Sequence, residues 1–467
     1  MNKFYITAAI PYINGAPHIG HALEFIQGDV LARYYRKKGV RTRYITGADE
    51  NALKNVQAAE KLGIAVSELA DKNTVKFQEL IKAYNISFDD FIRSSSKAHQ
   101  QVVNQMWLEA DKNGAIYKKV YKGLYCVSCE VFYQKSELVN NECQWHPGKP
   151  IEEVEEENYF FKLSQYQEKL TELIESDTYR ITPQKAKNEA LSFIRQGLHD
   201  FSISRSNERA RNWGVPVPGD DTQRVYVWFD ALNIYRTGAD NLWPADVHLI
   251  GKDIMRFHAI YWPAMLLASN LELPKNLYIH GFITVNGMKM SKSLGNSVDP
   301  FELVEKYGAD PIRYYLLREI PTDDDGDYSE EKFLTRYNAD LANGLGNLVS
   351  RVLALTEGLN LTQEVNSELK EKTQEISKKI SHQIEGYKLH DALATLWELI
   401  SYADKYVNDS RPWEKQGKEK EQILVNLLYI LKSVQDELTP FLPETAKKLE
   451  ALLIKPAKLL EPLFPRL

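Results

Sequence analysis

Two histidines one helical turn apart, His18 and His21, form a pattern near the start of the chain that could bind phosphate. They follow an apolar, strand-like run that ends at Ala9 and precede Ala22–Lys38, where apolar residues recur at helical spacing. The free N–H groups and the dipole of a helix N-terminus favour phosphate, and histidines there can add hydrogen bonds. Gly20 would let a flat ligand approach the backbone closely. Simple capping of the helix is the alternative role for the two histidines.

A second pattern, Lys289 to Ser293, has the sequence Lys-Met-Ser-Lys-Ser and follows the turn signal Asn286-Gly287. Leu277 to Val285, before that turn, resembles a strand. Two lysines on such a loop could close over a pyrophosphate and neutralise its charge. A lysine-serine loop by itself is usually only solvated surface.

All three cysteines fall into one arrangement with a histidine: Cys126 and Cys129, then Cys143 and His146. Two such pairs separated by a short polar loop have the ligand spacing of a tetrahedral zinc knuckle. Because four protein ligands leave no open position, the metal would be structural. The alternatives are buried cysteines beside an incidental histidine, or a Cys-x-x-Cys redox pair.

The histidine block and the lysine-serine loop together resemble the signature pair of class I aminoacyl-tRNA synthetases. Their flanking residues are similar to the methionyl-tRNA synthetase family, and the resemblance extends from Phe4 to Arg466. It implies an α/β fold: a doubly wound parallel sheet of Rossmann type, an inserted domain with a single zinc knuckle, and a C-terminal α-helical bundle. It also implies a ligase that activates methionine with ATP and transfers it to tRNA(Met), with Mg²⁺ accompanying ATP and one structural Zn²⁺. In that family the fourth zinc ligand is often cysteine, whereas here it would be His146.

The resemblance assigns the phosphate chemistry to the two signature blocks and one arginine. The implied catalytic residues are His18, His21, Lys289 and Lys292, and the implied ATP-binding residues are these four with Gly20 and Arg205. Methionine offers only a flexible thioether, which aromatic edges and a weak donor can recognise. The implied pocket therefore combines aromatic residues, apolar walls and one carboxylate for the α-ammonium group. Its residues are Ala9, Ile10, Tyr12, Asp49, Trp228, Ala231, Leu232, Tyr235, Ile254 and His258.

Some of these residues also have a purely structural interpretation. Asp49 follows a strand-like run and could cap the next helix instead of binding an ammonium group. The periodicity around Trp228 and Tyr235 is equally compatible with a core position. Leu232 stands where other family members have proline, so the shape of the pocket could differ slightly.

A third group of residues lies in the C-terminal part of the chain. Asn347 and Arg351 are one turn apart on one face of a predicted helix, and Trp413 follows Arg411-Pro412 at a helix boundary. By resemblance these three meet the CAU anticodon, with Trp413 offering an aromatic face on which an unstacked base can lie. Trp413 could instead be a packing anchor between helices.

Strand and helix patterns alternate in the first part of the chain, which is typical of a doubly wound sheet. Val225 to Tyr235 is expected to resume that sheet after the insertion. The sequence beyond about Asp340 is almost entirely helical in pattern and predicts a bundle. The predicted boundaries are 1–115 and 225–281 for the two halves of the Rossmann domain, 116–224 for the insertion, 282–339 for the lysine-serine loop and stem-contact region, and 340–467 for the anticodon-binding bundle.

Composition narrows the class of protein. The 467 residues are enough for about three domains, and the net charge of −6 excludes a polybasic coat but not a local basic face for RNA. No apolar run approaches the roughly 20 residues of a membrane span. Three clustered cysteines without a disulfide framework favour the cytoplasm, and we expect a monomer. Two other functions stay open: a different class I synthetase, against which the short insertion argues, and a non-catalytic RNA-binding relative.

Overall fold

The computed structural model describes the chain except residues 1–2, 127–130, 134, 145–147, 290–297, 322, 360, 455 and 457–458, and the side chains of 131, 136 and 289. The chain divides into two compact units. Unit 1 consists of Met1–Pro17, Gly39–Ile81 and Ser87–His280, and unit 2 consists of His18–Lys38, Lys82–Ile86 and Gly281–Leu467.

Unit 1 is built on a parallel sheet of six strands, whose order across the sheet is Asp90–Arg93, Arg41–Ala48, Lys3–Ala8, Val247–Gly251, Asn276–His280 and Arg180–Thr182. The inner strands Lys3–Ala8, Val247–Gly251 and Asn276–His280 are almost entirely buried, as expected for a parallel sheet covered on both faces, whereas the two edge strands are partly exposed. The strands of the described chain are β1 Lys3–Ala8, β2 Arg41–Ala48, β3 Asp90–Arg93, β4 Ile116–Cys126, β5 Val131–Tyr133, β6 Ile151–Phe161, β7 Arg180–Thr182, β8 Phe201–Ser202, β9 Ser204–Ser206, β10 Pro216–Val217, β11 Asp220–Val225, β12 Val247–Gly251, β13 Asn276–His280, β14 Ile283–Val285, β15 Met288–Lys289 and β16 Gly326–Tyr328.

The insertion in unit 1 forms two small antiparallel sheets. One has the order β5-β4-β6-β8, and β4 and β6 pair along their whole length from Ile116 opposite Phe161 to Cys126 opposite Ile151. The other has the order β10-β11-β9. The core of the insertion is continuous with that of the parallel sheet, because Trp107, Phe161 and Phe229 belong to one buried cluster.

Unit 2 is mostly helical and contains, besides its bundle, the small sheet β15-β14-β16. The α-helices of both units are α1 Ile19–Lys37, α2 Leu53–Leu62, α3 Val66–Ala83, α4 Lys97–Lys112, α5 Gln167–Glu175, α6 Gln184–Arg195, α7 Val227–Ala231, α8 Ile234–Thr237, α9 Trp262–Ala268, α10 Pro300–Tyr307, α11 Ala309–Glu319, α12 Glu330–Arg336, α13 Asn347–Thr356, α14 Ser367–Glu385, α15 Leu389–Ser410, α16 Gly417–Leu438 and α17 Pro443–Ile454. Short 3-10 turns cover Lys135–Glu137, Leu163–Tyr166, Lys252–Ile254 and Pro412–Glu414, and π-helices cover Phe257–Tyr261 and Tyr337–Gly346. None of the helices in the described ranges is both long and apolar enough to cross a membrane.

The structure corrects two expectations about the sheet. Val225 to Tyr235 does not resume it: this apolar run folds into α7 and α8, which are buried. A short apolar run does not by itself distinguish a buried helix from a buried strand. Conversely, Arg180–Thr182, inside the predicted insertion 116–224, forms the edge strand β7 of the parallel sheet by pairing with β13. Three residues carry too little pattern to reveal a strand.

Candidate functional site

The signature histidines form the first turn of α1 in unit 2. The Nδ1 atom of His18 accepts a hydrogen bond from the backbone N–H of Gly20 at 3.1 Å, and that of His21 accepts from the N–H of His18 at 3.1 Å. The two rings are stacked with centroids 3.8 Å apart. Because both Nδ1 atoms accept, both Nε2 atoms carry hydrogen in the neutral rings and can donate. The histidines therefore cap the helix through Nδ1, and Nε2 is the donor atom of each ring.

Glycine at position 20 is required by the histidine beside it. A Cβ there would lie 3.0 Å from two ring atoms of His18, which is closer than ordinary packing. A larger residue would push the His18 ring out of its capping position. The sequence analysis assigned Gly20 to ligand approach, and the structure adds this role in holding the ring.

The lysine-serine loop begins at a hairpin in unit 2. Asn286 and Gly287 both have positive φ, and Thr284 pairs with Lys289 across the turn. The Gly287 N–H and the Thr284 hydroxyl donate to Asp327 at 2.7 and 2.8 Å. The predicted turn is confirmed. Lys292 lies outside the described residues, as does the side chain of Lys289.

The predicted methionine-binding residues all belong to unit 1, and their backbone positions follow from the sheet order. Ala9, Ile10 and Tyr12 come directly after β1, and Asp49 comes directly after the neighbouring strand β2. The carboxyl ends of parallel strands meet at one edge of the sheet, where α/β proteins bind ligands. The Tyr12 and Asp49 backbones form a parallel bridge there, and the Asp49 N–H donates to the Pro11 carbonyl at 3.0 Å.

The aromatic side chains of this group are in contact. The Tyr12 ring meets the Trp228 ring edge to face at 6.2 Å, and the His258 ring meets Trp228 at the same distance. Trp228 is 8% exposed, and its indole N–H has no hydrogen-bond partner among the described residues. Ala231 and Leu232, on and directly after α7, are buried beside it.

His258 is held in one tautomer by two hydrogen bonds. Its Nδ1 lies 3.0 Å from the Ile254 carbonyl, which can only accept, so Nδ1 carries the hydrogen. Its Nε2 therefore accepts from the Tyr235 hydroxyl at 2.7 Å. Burial lowers the pKa of His258 to about 4, so the ring is neutral at physiological pH. It lies in the π-helix Phe257–Tyr261, a conformation that is rare and frequent at functional sites.

Asp49 does not cap the following helix. The N-cap of α2 is Ala52, and no side chain caps that end. Asp49 is 2% exposed, and its carbonyl accepts from the Asn55 side chain at 2.8 Å. This placement removes the structural alternative considered above and leaves a buried carboxylate at the sheet edge.

Arg205, predicted to contact phosphate, is buried in β9. Its Nη1 donates to the Ser202 hydroxyl at 2.9 Å and to the Ser204 carbonyl at 2.7 Å, and its guanidinium lies 4.4 Å from the Tyr226 ring centroid. The aromatic and hydroxyl neighbours give it a structural role that the sequence did not suggest.

Two of the four predicted zinc ligands can be described. Cys126 ends β4, and Cys143 follows the turn Val139–Glu142; both thiols are fully buried in one cluster with Tyr133. Cys129 and His146 lie outside the described residues. Within the described ranges, no group of three or more potential ligands approaches a metal-binding arrangement.

The predicted anticodon residues lie in unit 2, and two of them, Arg351 and Trp413, are in contact. The Arg351 guanidinium lies 5.9 Å from the Trp413 ring centroid and is oriented by Asp404 at 2.9 Å and Asn408 at 2.7 Å. Trp413 is 51% exposed, which argues against a packing anchor. Asn347 is exposed one turn before Arg351.

Phe257 is a contact of Trp228 that the sequence pattern did not reveal. Its ring stacks on Trp228 at 3.7 Å with an angle of 7° between the planes. Adjacency to His258 was the available signal, but the neighbour of a pocket residue usually points away from the pocket. The π-helical turn brings both side chains to Trp228.

Known proteins with similar sequences show the family. The family model described as class I tRNA synthetases (M) matches residues 4–145 and 133–353. A methionine–tRNA ligase of Brucella suis is 41% identical over 478 residues, covering 97% of this chain and 92% of that protein. The chain belongs to the methionyl family of class I tRNA synthetases. A second relative in this family, the methionine–tRNA ligase of Clostridium acetobutylicum, is also 41% identical, and the match covers 97% of this chain and 73% of that protein.

Solved structures of the family agree with the fold. The Mycobacterium tuberculosis methionyl-tRNA synthetase in complex with methionyl-adenylate has a TM-score of 0.93 at 36% identity, with 100% of both chains covered. The apo form of that enzyme has a TM-score of 0.85 at 34% identity, covering 100% of this chain and 98% of that one. These matches confirm the predicted combination of a parallel α/β sheet with a helical C-terminal region.

Proposed function

We propose that this chain works as a methionine–tRNA ligase through the residues described above, activating methionine with ATP and transferring it to tRNA(Met). The observation that carries the proposal is the aromatic group around Trp228, in which a neutral His258 is fixed by Tyr235. A polarizable sulfur suits neutral aromatic rings, whereas a charged imidazolium would favour an anionic ligand. Asp49 would bind the α-ammonium group of the same ligand.

In the first step, a carboxylate oxygen of methionine attacks the α-phosphorus of ATP, and the bond to the bridging oxygen of pyrophosphate breaks. Such phosphoryl chemistry depends mainly on positioning and charge neutralisation. The Nε2–H groups of His18 and His21 would donate to phosphate oxygens, and Lys289 and Lys292 would neutralise the departing pyrophosphate. Mg²⁺ would be held mainly by the phosphates.

In the second step, a hydroxyl of the terminal ribose of tRNA attacks the carbonyl carbon of the adenylate, and AMP leaves. The leaving phosphate can accept the proton, so no side-chain base is assigned. Asn347, Arg351 and Trp413 would recognise the anticodon; the exposed Trp413 ring beside the Arg351 guanidinium is suited to stacking a base.

A structural Zn²⁺ completes the proposal. Thiolates are its preferred ligands, and the fully buried Cys126 and Cys143 sulfurs fit that chemistry, with Cys129 and His146 as the other two ligands. Bound zinc would tie two turns of the insertion together and contribute to its folding. The protein would act in the cytoplasm as a monomer.

Pyrophosphate exchange across a panel of amino acids tests the activity. Exchange should depend on methionine and be absent with leucine, isoleucine and valine. Exchange with another amino acid would identify a different synthetase. No exchange, together with binding of tRNA, would support the non-catalytic relative instead.

A further inference from the structure

A fully buried carboxylate beside the methionine pocket is bonded to two separate parts of unit 1. Asp230 lies on α7, two residues after Trp228 and one before Ala231, and is 0% exposed. Its Oδ2 accepts from the Asn51 side-chain amide at 2.6 Å. Its Oδ1 lies 2.8 Å from the Nε2 of His99, which is also fully buried.

The partners of Asp230 belong to elements that carry or support pocket residues. Asn51 is in the loop after β2, two residues beyond Asp49, and its amide also donates to the Ser94 carbonyl at 3.1 Å. His99 is on α4, and its other ring nitrogen lies 2.9 Å from the Thr237 hydroxyl. Asp230 therefore connects the loop of Asp49 directly to the helix of Trp228.

We propose that Asp230 is a positioning residue that sets where Asp49 lies relative to the aromatic part of the pocket. The proposal rests on the proposed role of Asp49 in binding the α-ammonium group. Hydrogen bonds to a buried carboxylate are stronger than neutral ones, so they can hold a loop in one place. An amide at position 230 lacks the negative charge and one of the two accepting oxygens, so the bonds to Asn51 and His99 would both be weakened.

The test compares methionine with its deamino analogue, which has the thioether and carboxylate but no ammonium group. Two variants, Asp230→Asn and Asn51→Ala, break the connection from opposite sides. Each should raise the KM for methionine in pyrophosphate exchange about tenfold, as expected for loss of a charge-assisted bond. The inhibition constant of the deamino analogue should stay at the wild-type value, because that ligand does not use Asp49. Equal weakening of both ligands, or an unchanged KM for methionine, would overturn the proposal.

Two control variants separate this role from general damage and from the proposed function. Thr237→Val removes the hydroxyl that bonds to the other ring nitrogen of His99 and leaves both Asp230 bonds, so the KM for methionine should not change. A rise in that KM equal to the rise in Asp230→Asn would overturn the proposal. Asp49→Asn tests the ammonium role itself. If Asp49→Asn has no effect, the proposed function loses that contact. If it weakens methionine binding while Asp230→Asn and Asn51→Ala do not, only the positioning role fails.

Discussion

Acidification should destabilise this protein through His258. The ring is 1% exposed, so protonation would place a charge where water cannot solvate it. Burial lowers its pKa from 6.5 to about 4. As the pH falls from 6.5 towards 4, His258 becomes protonated in the unfolded chain but stays neutral in the folded chain. The contribution of His258 to the free energy of unfolding is therefore complete above pH 6.5 and declines below it. The difference between these two pKa values corresponds to a contribution of about 3.4 kcal/mol at most to the free energy of unfolding, at roughly 1.36 kcal/mol per pKa unit.

The measurement compares urea unfolding of the wild type and His258→Gln between about pH 7 and pH 4.5. Glutamine does not titrate in this range, so the free energy of unfolding should fall more steeply in the wild type. Burial and the neighbouring His258 also lower the pKa of His248, which is present in both proteins, so His258→Gln should reduce the pH dependence without abolishing it. Equal pH dependence in the two proteins would refute the assignment. So would an inflection near pH 6.5 in the KM for methionine that disappears in His258→Gln, because it would show that the ring ionises at its ordinary pKa.

Three further predictions concern the phosphate loop, the bundle and the insertion. Lys292→Ala should raise the activation free energy of pyrophosphate exchange by roughly 2.7–4 kcal/mol with little change in methionine affinity, since the lysine would stabilise charge that develops in the transition state. An unchanged exchange rate would show that the loop takes no part in the mechanism. Trp413→Ala should reduce charging of tRNA about ten- to a hundredfold while methionine-dependent pyrophosphate exchange stays near wild type. As a matched control, Trp397→Ala removes a half-buried packing residue of the same unit and should chiefly lower the melting temperature. Normal charging of tRNA by Trp413→Ala would contradict the anticodon role of Trp413. Metal analysis should find about one Zn²⁺ per chain, and Cys129→Ser should lose zinc and stability. A Cys129→Ser variant that keeps its full zinc content and stability would contradict the proposed zinc knuckle.

The sequence predicted elements best where periodicity was long. The helical pattern beyond about Asp340 is confirmed, because α13 to α17 cover most of that part of the described chain. The helix of the signature histidines starts at Ile19, three residues before the predicted Ala22, because His18 supplies the cap. Imidazole caps are less common than serine or aspartate caps, so the usual start signals did not apply.

The candidate site was predictable as a set of residues but not as a set of contacts. Resemblance supplied Trp228, Tyr235 and His258, whereas periodicity placed Trp228 in a strand and the structure places it in α7. The stacking of Phe257 and the bond between Asn51 and Asp230 join residues about 29 and 179 positions apart in the chain. Such pairs depend on the tertiary fold, and no local pattern encodes them.

The way α1 is anchored has a consequence for shortened forms of the enzyme. Asp29, in the middle of that helix, forms a buried ion pair with Arg313 of α11 at 2.8 Å, and Arg313 donates to the carbonyls of Phe441 and Pro440 between α16 and α17. Near its end, Tyr34 donates to Glu385 of α14 at 2.8 Å. The bundle region therefore supplies acceptors to a buried guanidinium and to Tyr34, and losing the acceptor of a buried donor is destabilising. A fragment that ends before the bundle would therefore retain Arg313 but lose Glu385 and the two carbonyls, so the helix that follows His18 should be less stable in it than in the full chain.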